Sequence, residues 1–132
     1  MSKKSLFAYL GTLLAFLILD GIWLGVLMGS TYKSLLGSLM LDQPRLLPAT
    51  LFYLLYALGC VVLVVLPSAS WQRAARLGAL LGLVAYGTYD LSNWATLQGW
   101  SAQLAIMDMA WGTFLTAVCS TAGYLCAQRV HR

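Results

Sequence analysis

The sequence predicts an all-α polytopic membrane protein: a four-transmembrane-helix bundle with a short interfacial helix in its first loop. Three observations predict it. Hydrophobic residues make up 61% of the chain and charged residues 9%, outside the range of soluble globular domains. Four apolar runs, Leu6 to Met28, Leu46 to Leu66, Leu77 to Leu97 and Ala102 to Cys126, each supply the ~20 residues needed to cross a ~30 Å hydrocarbon layer. The basic residues are also distributed unevenly between the two ends of those runs. Together the runs leave no stretch long enough for a soluble domain, so residues 1–132 are expected to form a single transmembrane domain and any activity is expected to reside in the helices or the short loops.

The first run follows Lys3 and Lys4, as a signal peptide would. It is longer than a typical signal core, contains Asp20 and is followed by no A-x-A-like site, so an uncleaved first helix is expected. In the loop that follows, Tyr32, Leu35, Leu36, Leu39 and Met40 recur at helical spacing opposite Lys33, Ser34, Gly37 and Ser38, which predicts the interfacial helix. A linker lying in the headgroups is the favoured reading of it, and a lid over the outward end of the bundle the alternative. Pro44 and Pro48 bracket the entry to the second run, where proline suits a helix start. The connections after the second and third runs, "PSASWQR" and "QGWS", are tight.

Lys3, Lys4, Arg73, Arg76, Arg129 and Arg132 fall on one side of this arrangement, Lys33 and Arg45 on the other. Positive residues are retained on the cytoplasmic side, so both termini are expected in the cytoplasm. The same bias accounts for the net charge of +4, and with no basic patch interleaved with surface aromatics no nucleic-acid partner is expected. Cys60, Cys119 and Cys126 show no C-x-x-C spacing and read as small buried hydrophobes. The single histidine, His131, lies in the terminal tail and no lysine lies within a run. No cofactor and no metal is therefore expected. Three aspartates could offer oxygen ligands to a hard cation, but they come from separate helices without motif spacing.

Those aspartates carry the functional expectation. The chain has four acidic residues, and Asp20, Asp90 and Asp108 lie inside apolar runs. With a rise of 1.5 Å per residue, Asp20 and Asp90 stand ~12 Å from the outward ends of their helices and Asp108 ~9 to 10 Å from its own, one common level. A tryptophan follows each acid, Trp23 at i+3, Trp94 at i+4 and Trp111 at i+3, so each acid is expected to carry an aromatic wall on its own helix face. Tyr86, Asp90 and Asn93 continue the row of Gly78 and Gly82 at helical spacing, with Tyr89 nearby, and Tyr53 and Tyr56 lie one turn apart in the second run. An ionised aspartate at mid-membrane costs ~2.5 to 3.5 kcal/mol on insertion scales, and no basic residue within a run offsets it. The carboxyls are either protonated, or hydrogen-bonded to Tyr and Asn, or met by a positive species from outside, with Lys33 or Arg45 reaching down as the structural alternative. The predicted site is thus Asp20, Asp90, Asp108, Trp23, Trp111, Asn93, Tyr86, Tyr89, Tyr53 and Tyr56. The glycine rows, Gly21, Gly25 and Gly29 on the first helix and Gly78 and Gly82 on the third, suit close packing either within the bundle or between two copies of it.

The strings "LDGIWLG", "FYLLYALG", "GLVAYGTYDLSNWATL" and "MDMAWG", in that order over nearly the whole chain, resemble the small bacterial inner-membrane proteins of the Domain of Unknown Function 2177 family. The resemblance implies a four-helix membrane protein and singles out the ten site residues above as motif positions. It supplies no substrate.

The leading functional expectation is an intramembrane acidic, aromatic pocket that binds or transports a cation or small amphiphile, with proton coupling. Four short helices are few for a transporter, so transport would call for a homodimer. One alternative is an enzyme acting on a lipid or isoprenoid through aspartate acid–base chemistry; another is a non-catalytic subunit or assembly partner whose acids serve as interhelical glue. The lipid bilayer is the one partner common to all three.

Overall fold

The computed structural model describes residues 2–130 and is all-α, with no strand among the described residues. His131, expected in the tail, lies outside them. Helix α1 (Lys3–Ile22) runs on into a π-helical segment (Trp23–Leu27). After it come α2 (Gly29–Leu36), a single 3₁₀ turn (Gly37–Leu39), α3 (Leu46–Cys60) ending in a second π segment (Val61–Val65), α4 (Trp71–Thr96) and α5 (Ala102–Val130).

Serine begins three of these helices. Ser2 Oγ accepts from the Ser5 amide at 3.1 Å, Ser70 Oγ from Arg73 at 3.2 Å and Ser101 Oγ from Leu104 at 3.1 Å. Each satisfies an amide that the helix itself leaves free, a contribution of ~1 kcal/mol. Gly37, with φ +57°, closes α2 in a conformation that side chains with a Cβ rarely adopt.

The structure adds to the expected runs at their basic ends. α4 begins at Trp71 rather than Leu77, and α5 continues to Val130. At 1.5 Å per residue α5 is ~43 Å long, more than a hydrocarbon core requires. Three segments are both long and apolar enough to cross a membrane: Lys3–Leu27, Leu46–Val65 and Ala102–Val130. α4 has the length but not the apolarity, because its second half carries Tyr86, Tyr89, Asp90, Ser92 and Asn93. The outer surface is hydrophobic. Leu14, Val26, Leu46, Leu47, Leu55 and Leu63 are each at least 60% exposed, the inverse of a water-soluble surface and a match for lipid.

α5 is the hub. α1 packs along it in antiparallel register from Ala8 against Ala127, through Thr12 against Gly123 and Phe16 against Cys119, to Trp23 against Trp111. α4 packs along another side of it, also antiparallel. There a Cβ on Gly78 would lie 2.8 Å from Ser120 Oγ, and one on Gly82 would collide with the Gly112 carbonyl and the Thr116 side chain. Gly78 and Gly82 therefore serve packing inside the chain. Gly21 and Gly25 meet nothing within 4 Å. α3 packs on α1, and its π segment reaches α4 and α5. This order puts Lys3, Lys4, Arg73, Arg76 and Arg129 at one end of the molecule and Asp20, Asp90 and Asp108 toward the other.

Candidate functional site

Toward that second end the helices diverge around a cavity of about 510 Å³, whose wall is drawn from all five helices and includes Asp20, Trp23, Tyr32, Tyr53, Tyr86 and Asp108. Beneath it lies Phe16, 1% exposed, edge-on to Tyr53 with ring centroids 5.0 Å apart and tilted against Tyr56 at 5.2 Å. Two tyrosines one turn apart on α3 are thus braced by one phenylalanine of α1. Tyr86 is fitted into the notch left by Gly112, where a Cβ would overlap its ring. A glycine on α5 thereby sets how deeply an α4 phenol can sit.

Two carboxyls face this cavity, held by different donors. Asp20 accepts from Tyr53 Oη at 2.6 Å and from Trp111 Nε1 at 3.1 Å, one donor on each oxygen. Asp108 accepts from Tyr32 Oη at 2.8 Å, and Tyr32 in turn accepts from Trp23 Nε1 at 2.9 Å. Trp23 and Trp111 stack face to face, 4.2 Å apart and within 4° of parallel, joining the two sets. Every donor that reaches a carboxyl among the described residues is a neutral phenol or indole, while Lys33 and Arg45 are exposed. A hydrogen bond from a neutral group lowers the cost of a buried carboxyl without cancelling its charge.

The expected pairing of each acid with its own tryptophan is corrected here. Trp111, one turn from Asp108, donates to Asp20, and Trp23, one turn from Asp20, serves Asp108 through Tyr32. Antiparallel α1 and α5 bring each indole opposite the neighbouring helix's acid, so the walls are exchanged. Trp94 does not line the cavity and is 46% exposed.

Asp90 differs from the other two. It is fully buried and its two oxygens have no hydrogen-bond partner among the described residues. The side chains of Asp108 and Trp100 lie beside it, and the Trp100 indole N–H is likewise buried and unpaired. Asp90 stands behind the cavity wall rather than in it. Of the other predicted residues, Tyr56 and Tyr89 line the cavity, Trp111 reaches it through Asp20, and Asn93 does not line it.

Tyr32 is the residue that sequence reasoning missed. The linker reading of its segment is corrected too, because Tyr32, Leu36 and Met40 form part of the cavity wall and Leu39 packs on Gly99 of the α4–α5 turn. The available signal was a phenol on the apolar side of an amphipathic helix, where a hydroxyl needs a partner. Burial raises the Tyr32 phenol far above its usual range; Trp23's hydrogen bond opposes this and the Asp108 charge adds to it. Tyr32 therefore remains a proton-bearing donor to Asp108 throughout the physiological range. Tyr56, paired with Thr116 Oγ1 at 2.7 Å, has its hydroxyl engaged within the bundle.

An all-α architecture with spanning-capable helices, an apolar exterior and a cluster of acids and aromatics at one end defines a polytopic class of membrane protein. Residues 5–125 match the family model described as Predicted membrane protein (DUF2177). The chain belongs to that family. No curated protein and no solved structure matches it.

Proposed function

We propose that this protein crosses a bacterial inner membrane four times, with both termini in the cytoplasm, and that its cavity binds a cation or small cationic amphiphile in exchange with a proton. The observation that carries the reading is the cavity itself: Asp20 and Asp108 face one space, and their recorded donors are all neutral. A positive group entering it gains two carboxyls and the faces of the surrounding rings, where desolvated cation–π contact contributes ~2 kcal/mol or more. The fourth crossing is α4, 26 residues long, whose Asp90 is buried and whose exposed Thr88 and Thr96 hydroxyls donate to carbonyls of their own helix.

Asp90 supports the proton coupling. An unpaired ionised carboxyl in a buried site is prohibitively costly, so Asp90, beside Asp108, is the group that holds the proton. A cation at Asp108 favours the ionised pair and sends that proton out. Adjacent carboxyls of this kind also suit acid–base chemistry on a lipid or isoprenoid, the second reading, for which turnover of native lipid extract is the assay.

The test uses the protein in nanodiscs, titrated with tetramethylammonium and followed by tryptophan fluorescence and by proton release into weak buffer. Asp20→Asn and Asp108→Asn should each weaken binding at least ~10-fold, the equivalent of ~1.4 kcal/mol. Asp90→Asn should keep binding but release no proton. Unchanged affinity in both the Asp20 and Asp108 variants removes the reading.

A further inference from the structure

A second cavity, about 460 Å³, lies along the cleft between α3 and α4 and is lined by Phe52, Leu55, Tyr56, Leu58, Gly59, Val62, Leu63 and Leu81. Apart from the Tyr56 hydroxyl, turned to Thr116, its side chains carry no polar group. It shares Phe52 and Tyr56 with the acid-bearing cavity, so the two spaces adjoin across the same pair of rings. α4 meets the α3 strand of chain through the Val61–Val65 segment, and beyond that segment the two helices part. Gly59 sits on the cleft wall with nothing within 4 Å of where a Cβ would be, and Leu55, Val62 and Leu63 are 69%, 53% and 62% exposed. The cleft is thus open sideways, toward the lipid-facing surface.

We infer that the ligand is a single-chain amphiphile with a cationic head, which enters sideways between α3 and α4, places its head beside Asp20 and Asp108 and lays its hydrocarbon chain in the α3–α4 cleft. The inference rests on the binding reading above and adds the ligand's class and route. Its basis is the wall that the two cavities share. A free inorganic cation or a short amine would use only the acid-bearing cavity and leave the adjoining apolar one without a role. An amphiphile fits both, each part meeting a wall of its own polarity.

The probe is dodecylammonium with a diazirine at the chain terminus, photolysed in nanodiscs holding the native protein, with adducts mapped by peptide mass spectrometry. Adducts are expected on the segment Leu55–Leu63 and at Leu81, competed by unlabelled dodecylammonium. Gly59→Trp and Leu63→Trp, two independent plugs, should each cut this labelling about tenfold, while Leu14→Trp on the lipid face of α1 should leave it intact; equal membrane partitioning in all three makes the comparison a reading of the cleft. Labelling scattered over all lipid-facing helices, or undiminished by both plugs, overturns the inference. So does a disulfide joining two chains through Leu63→Cys regardless of the amine, which would make the cleft an interface between copies. If tetramethylammonium binding still depends on Asp20 in those cases, the pocket reading stands and only the chain's route falls. Loss of Asp20 dependence for both amines overturns both.

Discussion

At the scale of single residues, the three helical aspartates, two buried and one half-buried, solve the same electrostatic problem in different ways, and substitution should tell them apart. Asp20 has one donor on each oxygen, Tyr53 and Trp111. An asparagine there can accept from only one of them and presents an amide to the other, so Asp20→Asn should cost ~1 to 3 kcal/mol of stability. Tyr53→Phe, which removes the 2.6 Å bond, should cost a similar ~1.5 to 3 kcal/mol if the carboxyl is charged. Asp90 has no donor to lose, and Asp90→Asn should shift stability by less than ~1 kcal/mol. Reversible unfolding of the three variants in one mixed micelle would check the order; an Asp90 variant as weak as the Asp20 variant would contradict it. The acids and most of the rings around them were legible in the sequence, because an ionisable group in an apolar run is costly enough to stand out. Their partners were not. Which indole meets which carboxyl depends on the antiparallel register of α1 and α5, and spacing along one helix carries no information about that.

At the scale of helices, the two glycine rows look alike in the sequence and behave differently in the fold. Gly82 lies against the Gly112 carbonyl and Thr116, whereas Gly21 faces open space. Gly82→Ala should force α4 from α5 and cost ~1 to 3 kcal/mol by overpacking. Gly21→Ala should be neutral or should stabilise by up to ~1 kcal/mol, since alanine is the better helix former. Unfolding in a common detergent would show the sign of each. Helix positions were readable because apolar run length is a one-dimensional property. The role of α2 was not: its amphipathic pattern is the same whether the apolar side meets headgroups or the neighbouring helices, and only the hydrogen bonds of Tyr32 to Trp23 and Asp108 decide for the latter.

At the scale of the whole molecule, α4 stands apart, being long but carrying too many polar groups to rank with the three apolar spans. Four crossings require the α3–α4 and α4–α5 connections to lie on opposite sides of the membrane. Cysteine substitution at Ala69 and at Gln98, both exposed, followed by labelling of intact cells with a membrane-impermeant maleimide, should mark Gln98→Cys and spare Ala69→Cys. Equal labelling of both would return α4 to one side. Cys60 and Cys119 are buried and Cys126 half-buried, so the native thiols are shielded from the reagent, and the unsubstituted protein labelled in parallel sets the background.

The widened turn at Trp23–Leu27 sets the phase between α1 and everything after it. Such turns arise where a helix holds one residue more than regular winding accommodates. Deleting Val26, a residue 77% exposed, should let the coil relax to ordinary pitch and turn the following segment by ~100°, pointing Tyr32 away from Asp108 while the hub of α1, α4 and α5 stays assembled. A one-residue surplus would then be what keeps the roof aligned with the walls.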